Sequence, residues 1–370
     1  MKDLGLYIHI PFCLSKCRYC DFCSFPHPKP ENIKKYIDAL LCEIKEYGRA
    51  YSEYNVTTVY FGGGTPTLLD ADALSTLLLE LKRSFNVASD AEISAECNPA
   101  TADCDYFKAI RKSGFNRLSI GVQSMNDREL KLLGRLHKAE DAQKAVWDAR
   151  QAGFDNISVD VMYGIPEQNS ESLASTLEAV CALSPEHISL YGLKIEDGTH
   201  FARHKNELVL PDEDTEYEMY MSSSRLLASK GYGKYEISNF SRDGKPSRHN
   251  LKYWKREDYL GMGLAAHSCI ESKRFANTCN LEKYMKGERI ESEEAISVHD
   301  ILCEKIMLGM RLCRGVDFSS LDKEALSYQK KLEAFISSGH VKRNGTSLSF
   351  TDEGMYVSNY ILSEVLDFEN

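Results

Sequence analysis

No apolar run reaches the roughly 18 residues that a bilayer-spanning helix needs, although the chain has 370 residues. A leader is also missing. Met1-Lys2-Asp3 passes straight into Leu4-Gly5-Leu6-Tyr7-Ile8-His9-Ile10-Pro11, which is too short and too polar for a signal peptide. A basic surplus is missing as well. Lys and Arg number 45 against 55 Asp and Glu, a net charge of -10, and this argues against a nucleic-acid binder. Internal repeats, low-complexity tracts and Pro/Ser linkers do not occur. The remaining composition, 27% charged and 10% aromatic, is that of a globular protein and excludes a disordered tail, a collagen-like fibre and a coiled coil. The length suits two domains, or one barrel with an appendage. Together these features lead to the expectation of a cytoplasmic protein without nucleic-acid partners.

Cysteine is the first positive signal. Of twelve cysteines, four (Cys13, Cys17, Cys20, Cys23) fall within eleven positions and eight are scattered. Without a leader, the scattered ones read as reduced, mostly buried small hydrophobes. The cluster reads as a metal site. Its spacing is three residues, then two. Thiolates suit iron–sulfur clusters and zinc alike. Three of them on one tight loop can hold three irons of a cubane and leave the fourth open. A zinc knuckle would need a fourth ligand; Cys23 is the candidate, but four ligands within eleven residues on one loop would be cramped.

Short apolar runs alternate with helical patterns over the first 190 residues. Leu4 to Ile10, Val56 to Phe61, Ala91 to Ala95, Arg117 to Gly121, Asn156 to Met162 and His187 to Leu190 read as strands, hydrophobic on both faces. Each of the first five returns through a helix. Six such units predict a parallel sheet covered by helices: an α/β partial barrel, with a six-stranded doubly wound sheet as the structural alternative. A helix is expected from Asp212 to Lys230, a loop from Ser238 to His249, and helices at Asp300 to Leu312 and Lys323 to Ser337. A hairpin with an Asn344-Gly345 turn follows, as in a winged helix. From Asp300 onward acidic residues outnumber basic ones 11 to 8, so packing or docking suits this module better than DNA binding.

Ligands of parallel α/β folds bind at the carboxyl ends of the strands, and the unusual residues fall there. They are the cysteine loop, Gly62-Gly63-Gly64-Thr65-Pro66-Thr67, Glu96, Gly121-Val122-Gln123-Ser124, and Asp160 with Tyr163-Gly164. Five such ends on one rim form one site.

The Cys-x3-Cys-x2-Cys loop resembles the radical S-adenosylmethionine (radical SAM) superfamily. Tyr7-Ile8-His9-Ile10-Pro11-Phe12-Cys13, the glycine run, Gly121-Val122-Gln123-Ser124 and Asp160-Val161-Met162-Tyr163-Gly164-Ile165-Pro166 narrow the match. Over nearly the whole chain they resemble the oxygen-independent coproporphyrinogen III oxidase family, including its haem-chaperone branch, HemW. The resemblance implies a partial (β/α)6 radical SAM barrel at residues 1–230. It implies an α-rich accessory C-terminal domain at 231–370, ending in the winged-helix-like hairpin. A [4Fe–4S] cluster would be held by Cys13, Cys17 and Cys20. S-adenosyl-L-methionine would be bound by Tyr7, Gly63, Gly64, Thr65, Glu96, Gln123, Arg135 and Asp160. Of these, the glycines and Thr65 would meet the methionine end, Arg135 its carboxylate, and Tyr7 the nucleoside. Reduction of the cluster would cleave SAM to methionine and a 5′-deoxyadenosyl radical.

Two departures separate the branches. The oxidase branch carries a fourth cysteine two positions after the third, where this chain has Phe22. The oxidase also has a longer N-terminal extension. Conversely, His249-Asn250-Leu251-Lys252-Tyr253-Trp254 matches the His-Asn-x-x-Tyr-Trp motif of the haem-chaperone branch, which makes His249 the candidate haem ligand. The expected function is a haem-binding chaperone that transfers haem to an acceptor protein, soluble or membrane-bound. An electron donor such as flavodoxin or ferredoxin would reduce the cluster. The alternative is oxidative decarboxylation of porphyrinogen propionates. Gly261-Met262-Gly263-Leu264-Ala265-Ala266-His267-Ser268 resembles a further family segment beyond the barrel, and His267 is not placed among the residues that touch the ligands.

Overall fold

Leu4, Leu6, Ile8 and Ile10 are fully buried. The strand they build, β1 (Asp3–Ile10), has parallel neighbours on both sides. It opens a run of six parallel strands that lie side by side in chain order: β1, β2 (Asn55–Gly63), β3 (Asn86–Cys97), β4 (Arg117–Gln123), β5 (Ile157–Tyr163) and β6 (His187–Gly192). The returning helices are α1 (Pro30–Ala50), α2 (Ala71–Ser84), α3 (Cys104–Ser113), the pair α4 (Asp127–Leu133) and α5 (Ala139–Gln151), and α6 (Ser170–Ala182). Side-chain caps start four of them, α2, α3, α4 and α6: Asp70 accepts from Ala73 N at 2.7 Å and Asn169 from Ser172 N at 2.8 Å. The computed structural model describes residues 1–242 and 244–368 and shows the expected partial (β/α)6 barrel.

The strands are not apolar on both faces. In β4, Leu118, Ile120 and Val122 are buried toward the helices, while Arg117, Ser119, Gly121 and Gln123 alternate with them and line the lumen. The inner face is polar because it surrounds a cavity.

The sheet also runs past the expected boundary at 230/231. After α7 (Glu213–Ser229), β7 (Gly233–Lys234) and β8 (Asn239–Ser241) extend it antiparallel beside β6. At the other edge β9 (Tyr259–Met262) lies parallel to β1, followed by antiparallel β10 (His267–Ile270), β11 (Lys273–Asn277) and, after the short helix α9 (Leu281–Met285), β12 (Ile290–Ala295). Tyr232, Phe240, Leu260 and Met262 belong to the barrel core. A second core, Tyr220 and Met221 apart, draws its buried residues from Leu302 onward. The expected loop from Ser238 to His249 contains β8 and the start of α8 (Arg248–Trp254), and Asp243 within it lies outside the described residues.

The second core joins α10 (Val298–Gly309), α11 (Ala325–Glu333) and a three-stranded sheet of β13 (Val316–Asp317), β15 (Ser347–Phe350) and β14 (Val341–Asn344). Asn344 pairs with Ser347, so the hairpin turn is Gly345-Thr346, with φ of Gly345 at +61°, one residue later than expected. The chain does not end there. α12 (Asp352–Tyr356) and α13 (Ser358–Val365) pack back on the hairpin, and Tyr220 and Met221 of α7 enter the same core.

Glu43 ties α1 to the distal sheet edge. Fully buried, its carboxylate accepts from Gly263 N at 2.8 Å, Asn277 Nδ2 at 2.7 Å and Tyr284 OH at 2.6 Å. Glu43→Ala would strand all three donors and is expected to lower unfolding free energy by about 3 kcal/mol or more, with Glu43→Gln losing less. Urea denaturation monitored by circular dichroism checks this, and equal losses in both variants would contradict it.

Candidate functional site

The loops at the carboxyl ends of β1 to β6 enclose a cavity of about 380 Å³. Cys13, Cys17 and Cys20 line it, as do Gly63, Gly64, Thr65, Glu96, Gln123, Arg135 and Asp160. The loop carrying the cysteines is pinned at several points. Arg18 N donates to Leu133 O at 3.0 Å, Phe201 N to Arg18 O at 3.0 Å, and Cys20 N to Cys17 O at 3.2 Å. His9 Nε2 lies 3.0 Å from Cys23 O. Cys23 does not line the cavity, and its Sγ lies 3.7 Å from Cys279 O.

The three thiols have polar company. Thr65 Oγ1 donates to Cys13 Sγ at 3.7 Å and Arg135 Nη1 to Cys17 Sγ at 3.5 Å. Burial pushes the Cys13 thiol up, and that of Cys20 up to about 11. Ligation must therefore expel protons, which makes metal affinity rise with pH. Among the described residues, no three His, Cys, Asp or Glu side chains converge tightly enough for a single metal ion. Thiols spread around a cavity wall suit a cluster, in which each sulfur meets its own iron.

Arg135 is fixed by Gly121 O at 2.6 Å, and its buried Nε has no acceptor. Glu96 accepts from Tyr60 OH at 2.9 Å and Gly63 N at 3.1 Å. Burial, and then Asp160, pushes the Glu96 carboxyl up to about 7. Burial also raises Asp160, against Ser119 Oγ at 3.1 Å and 3.2 Å. Two glycines are required by geometry. Gly63 has φ +110°, and a Cβ there would lie 2.5 Å from the His9 ring. A Cβ on Gly64 would lie 2.7 Å from Phe12 O and 3.0 Å from Cys13 Sγ, forcing the glycine run off the cysteine loop.

Two expected site residues fall outside the cavity lining. Tyr7 OH lies 2.9 Å from His9 Nδ1, so it steadies the histidine that holds the Cys23 carbonyl. His249 is 1% exposed, with Nδ1 2.8 Å from Thr58 Oγ1 and Nε2 2.8 Å from Tyr253 OH. Its ring stacks on Tyr60 at 5.2 Å. Burial, then Lys252 and Arg117, pushes it down to about 3. Both ring nitrogens are engaged, so His249 presents no lone pair to a haem iron in this conformation. Glu92 accepts from Arg248 N at 3.1 Å and His249 N at 3.0 Å, and thereby anchors α8 as a plug at the end of the barrel away from the cysteines. Asn250 of the same helix does reach the cavity, whereas exposed His267 does not line it.

Tyr19, Tyr60, Arg117, Ser119, Ser189 and Tyr191 also line the cavity. The signal for two of them was the alternation Arg117, Ser119, Gly121, Gln123, which puts four polar or small residues on one strand face.

The Radical SAM superfamily model matches residues 7–180, and the HemN C-terminal domain model matches residues 296–357, close to where the second core begins. The fold and the three-cysteine rim define a radical SAM protein. The chain is 33% identical to "Heme chaperone HemW" of Haemophilus influenzae, over 100% of this chain and 99% of that one. It is 33% identical to the Escherichia coli protein of that name over 98% of each, and 32% identical to that of Bacillus subtilis over 97% of this chain and 98% of the other. It belongs to the heme chaperone HemW family. The solved structure of coproporphyrinogen III oxidase (HemN) from Escherichia coli superposes with a TM-score of 0.85 at 26% identity, covering 98% of this chain and 89% of that one. Radical SAM membership brings a [4Fe–4S] cluster and SAM. The residues fit both: three thiols on one wall, a glycine cradle beside them, and a buried guanidinium Nε without an acceptor.

His249→Ala would leave Thr58 and Tyr253 without their partner and empty a stacked site. It is expected to cost about 2–4 kcal/mol of stability. Urea unfolding tests this. Unchanged stability would mean that His249 is not held as described.

Proposed function

We propose that this protein binds haem and passes it to an acceptor protein, in solution or at a membrane, with a SAM-binding cluster in the barrel. Identity over essentially the full length to proteins named heme chaperones carries this reading. Among the described residues, no helix is long and apolar enough to cross a membrane. Cys13, Cys17 and Cys20 hold the cluster. Gly63, Gly64 and Thr65 bring backbone to the methionine end of SAM, and Arg135 takes its carboxylate. Glu96, Gln123 and Asp160 bind its amino group and ribose hydroxyls. Tyr7 acts on the cysteine loop through His9. When bound, the cluster supplies an open iron for SAM and the electron for its reductive cleavage, drawn from a donor such as flavodoxin or ferredoxin. The neighbouring reading, oxidative decarboxylation of coproporphyrinogen III, rests on the shared HemN fold.

Titration of the anaerobically reconstituted protein with haemin is expected to give a saturable Soret band that moves to an added apo-haem protein. Formation of protoporphyrinogen from coproporphyrinogen III, with SAM and reductant, would overturn the carrier assignment. Cys17→Ser is expected to abolish the visible iron–sulfur absorbance and Cys23→Ser to retain it, since Cys23 does not line the cavity. Equal loss would indicate a four-cysteine site.

The Glu96 carboxyl, raised to about 7, keeps its proton below neutrality and becomes an anion, with both oxygens free to accept, only above it. SAM affinity is therefore expected to rise from pH 6 to pH 8, and Glu96→Gln to flatten that profile. Calorimetric titration at three pH values decides. A wild-type profile as flat as that of the variant excludes this role.

A further inference from the structure

Arg117 is 2% exposed, yet its guanidinium stands on the inner face of β4 and lines the barrel cavity. Among the described residues it makes no ion pair, and its buried Nε has no hydrogen-bond partner. A buried cation in that state is costly unless an anion completes it. Asp160 feels its charge through space but does not pair with it. The other groups that feel it, His187, His249, Tyr60 and Tyr235, are held neutral by burial.

Arg117 is not a second copy of Arg135. Arg135 sits at the rim, touching Cys17 and Gly121. Arg117 opens β4, so its backbone lies at the end of the strand away from the cysteine loop, and Asn250 of α8 lines the same cavity. The lumen therefore carries two guanidinium groups at different depths, whereas SAM has a single carboxylate. The cavity, about 380 Å³, is at the small end for a ligand site and does not admit a porphyrin macrocycle beside SAM. Its mouth offers apolar surface instead: Phe22 of the cysteine loop lines it and is 61% exposed.

We propose that Arg117 is a carboxylate-binding floor that takes a propionate arm of the porphyrin cargo, whose macrocycle rests at the mouth against Phe22. This rests on the haem-carrier reading. A planar guanidinium fork suits a carboxylate bidentately.

The test compares haemin with haemin dimethyl ester, on cluster-loaded wild type, Arg117→Gln and Arg117→Lys, by Soret titration, with SAM binding measured in parallel. Wild type is expected to bind the diester about tenfold more weakly than haemin. Arg117→Gln should weaken haemin binding by a similar factor, Arg117→Lys by less, and neither should change diester or SAM binding. If both variants fail to hold the cluster, the wild-type comparison of acid with ester still decides. Equal binding of haemin and its diester overturns the proposal. So does a variant that loses SAM rather than haemin, which would make SAM the source of the carboxylate. A wild type that takes up no haemin removes the carrier reading itself, and the floor assignment with it.

Discussion

Charge confined in a water-poor barrel is the constraint on which the rest depends. Three thiols, two carboxylates and two guanidinium groups share one lumen, and desolvation acts on all of them. It keeps Cys13 and Cys20 protonated, lifts Glu96 toward neutrality and raises Asp160. The scaffold offsets part of that cost with peptide and hydroxyl donors: Gly63 N and Tyr60 for Glu96, Ser119 for Asp160. It leaves the Nε of Arg117 and that of Arg135 unanswered. A lumen poised in this way is completed by ligands that bring their own charges, and those ligands stabilise the fold in proportion to their affinity.

The six-strand barrel was legible because parallel strands joined by crossover helices leave a strong mark. Leu4 to Ile10, Asn156 to Met162 and their counterparts lie within a few residues of the observed strands. The rim was legible because cysteines spaced by three and then two residues, next to a strand end, suit little chemistry besides metal or cluster ligation. The lumen floor was harder. In Arg117-Leu118-Ser119-Ile120-Gly121-Val122-Gln123 the polar positions look like ordinary strand filler until the opposite face is known to be buried. The edge strands were also weak, being short, antiparallel and in part wholly exposed, as in Ile290–Ala295. His249 shows a different limit. A motif fixes which residue is present, whereas exposure depends also on Thr58 and Glu92, which come from two distant strands and join Tyr253 of the motif's own helix around the histidine.

The continuous sheet changes how the two halves relate. The boundary at 230/231 would cut between α7 and β7, both of which contribute to structures on either side of it. Tyr220 and Met221 of α7 enter the second core, while Tyr232 and Phe240 return to the first. The C-terminal module is thus fastened to the barrel through α7.

The pairing of β1 with β9 has a consequence for biosynthesis. Gly5 lies beside Tyr259, some 250 residues later. At ribosomal rates of about 5–20 residues per second, β1 waits on the order of ten seconds or more before that neighbour emerges. Throughout this interval one row of its peptide groups is an open template, and the strand behind it is Leu-Gly-Leu-Tyr-Ile-His-Ile. Nascent chains of this protein therefore pass through a window in which intermolecular strand addition competes with native closure, and cellular holdases that shield the N-terminal segment would raise the yield of closed barrel.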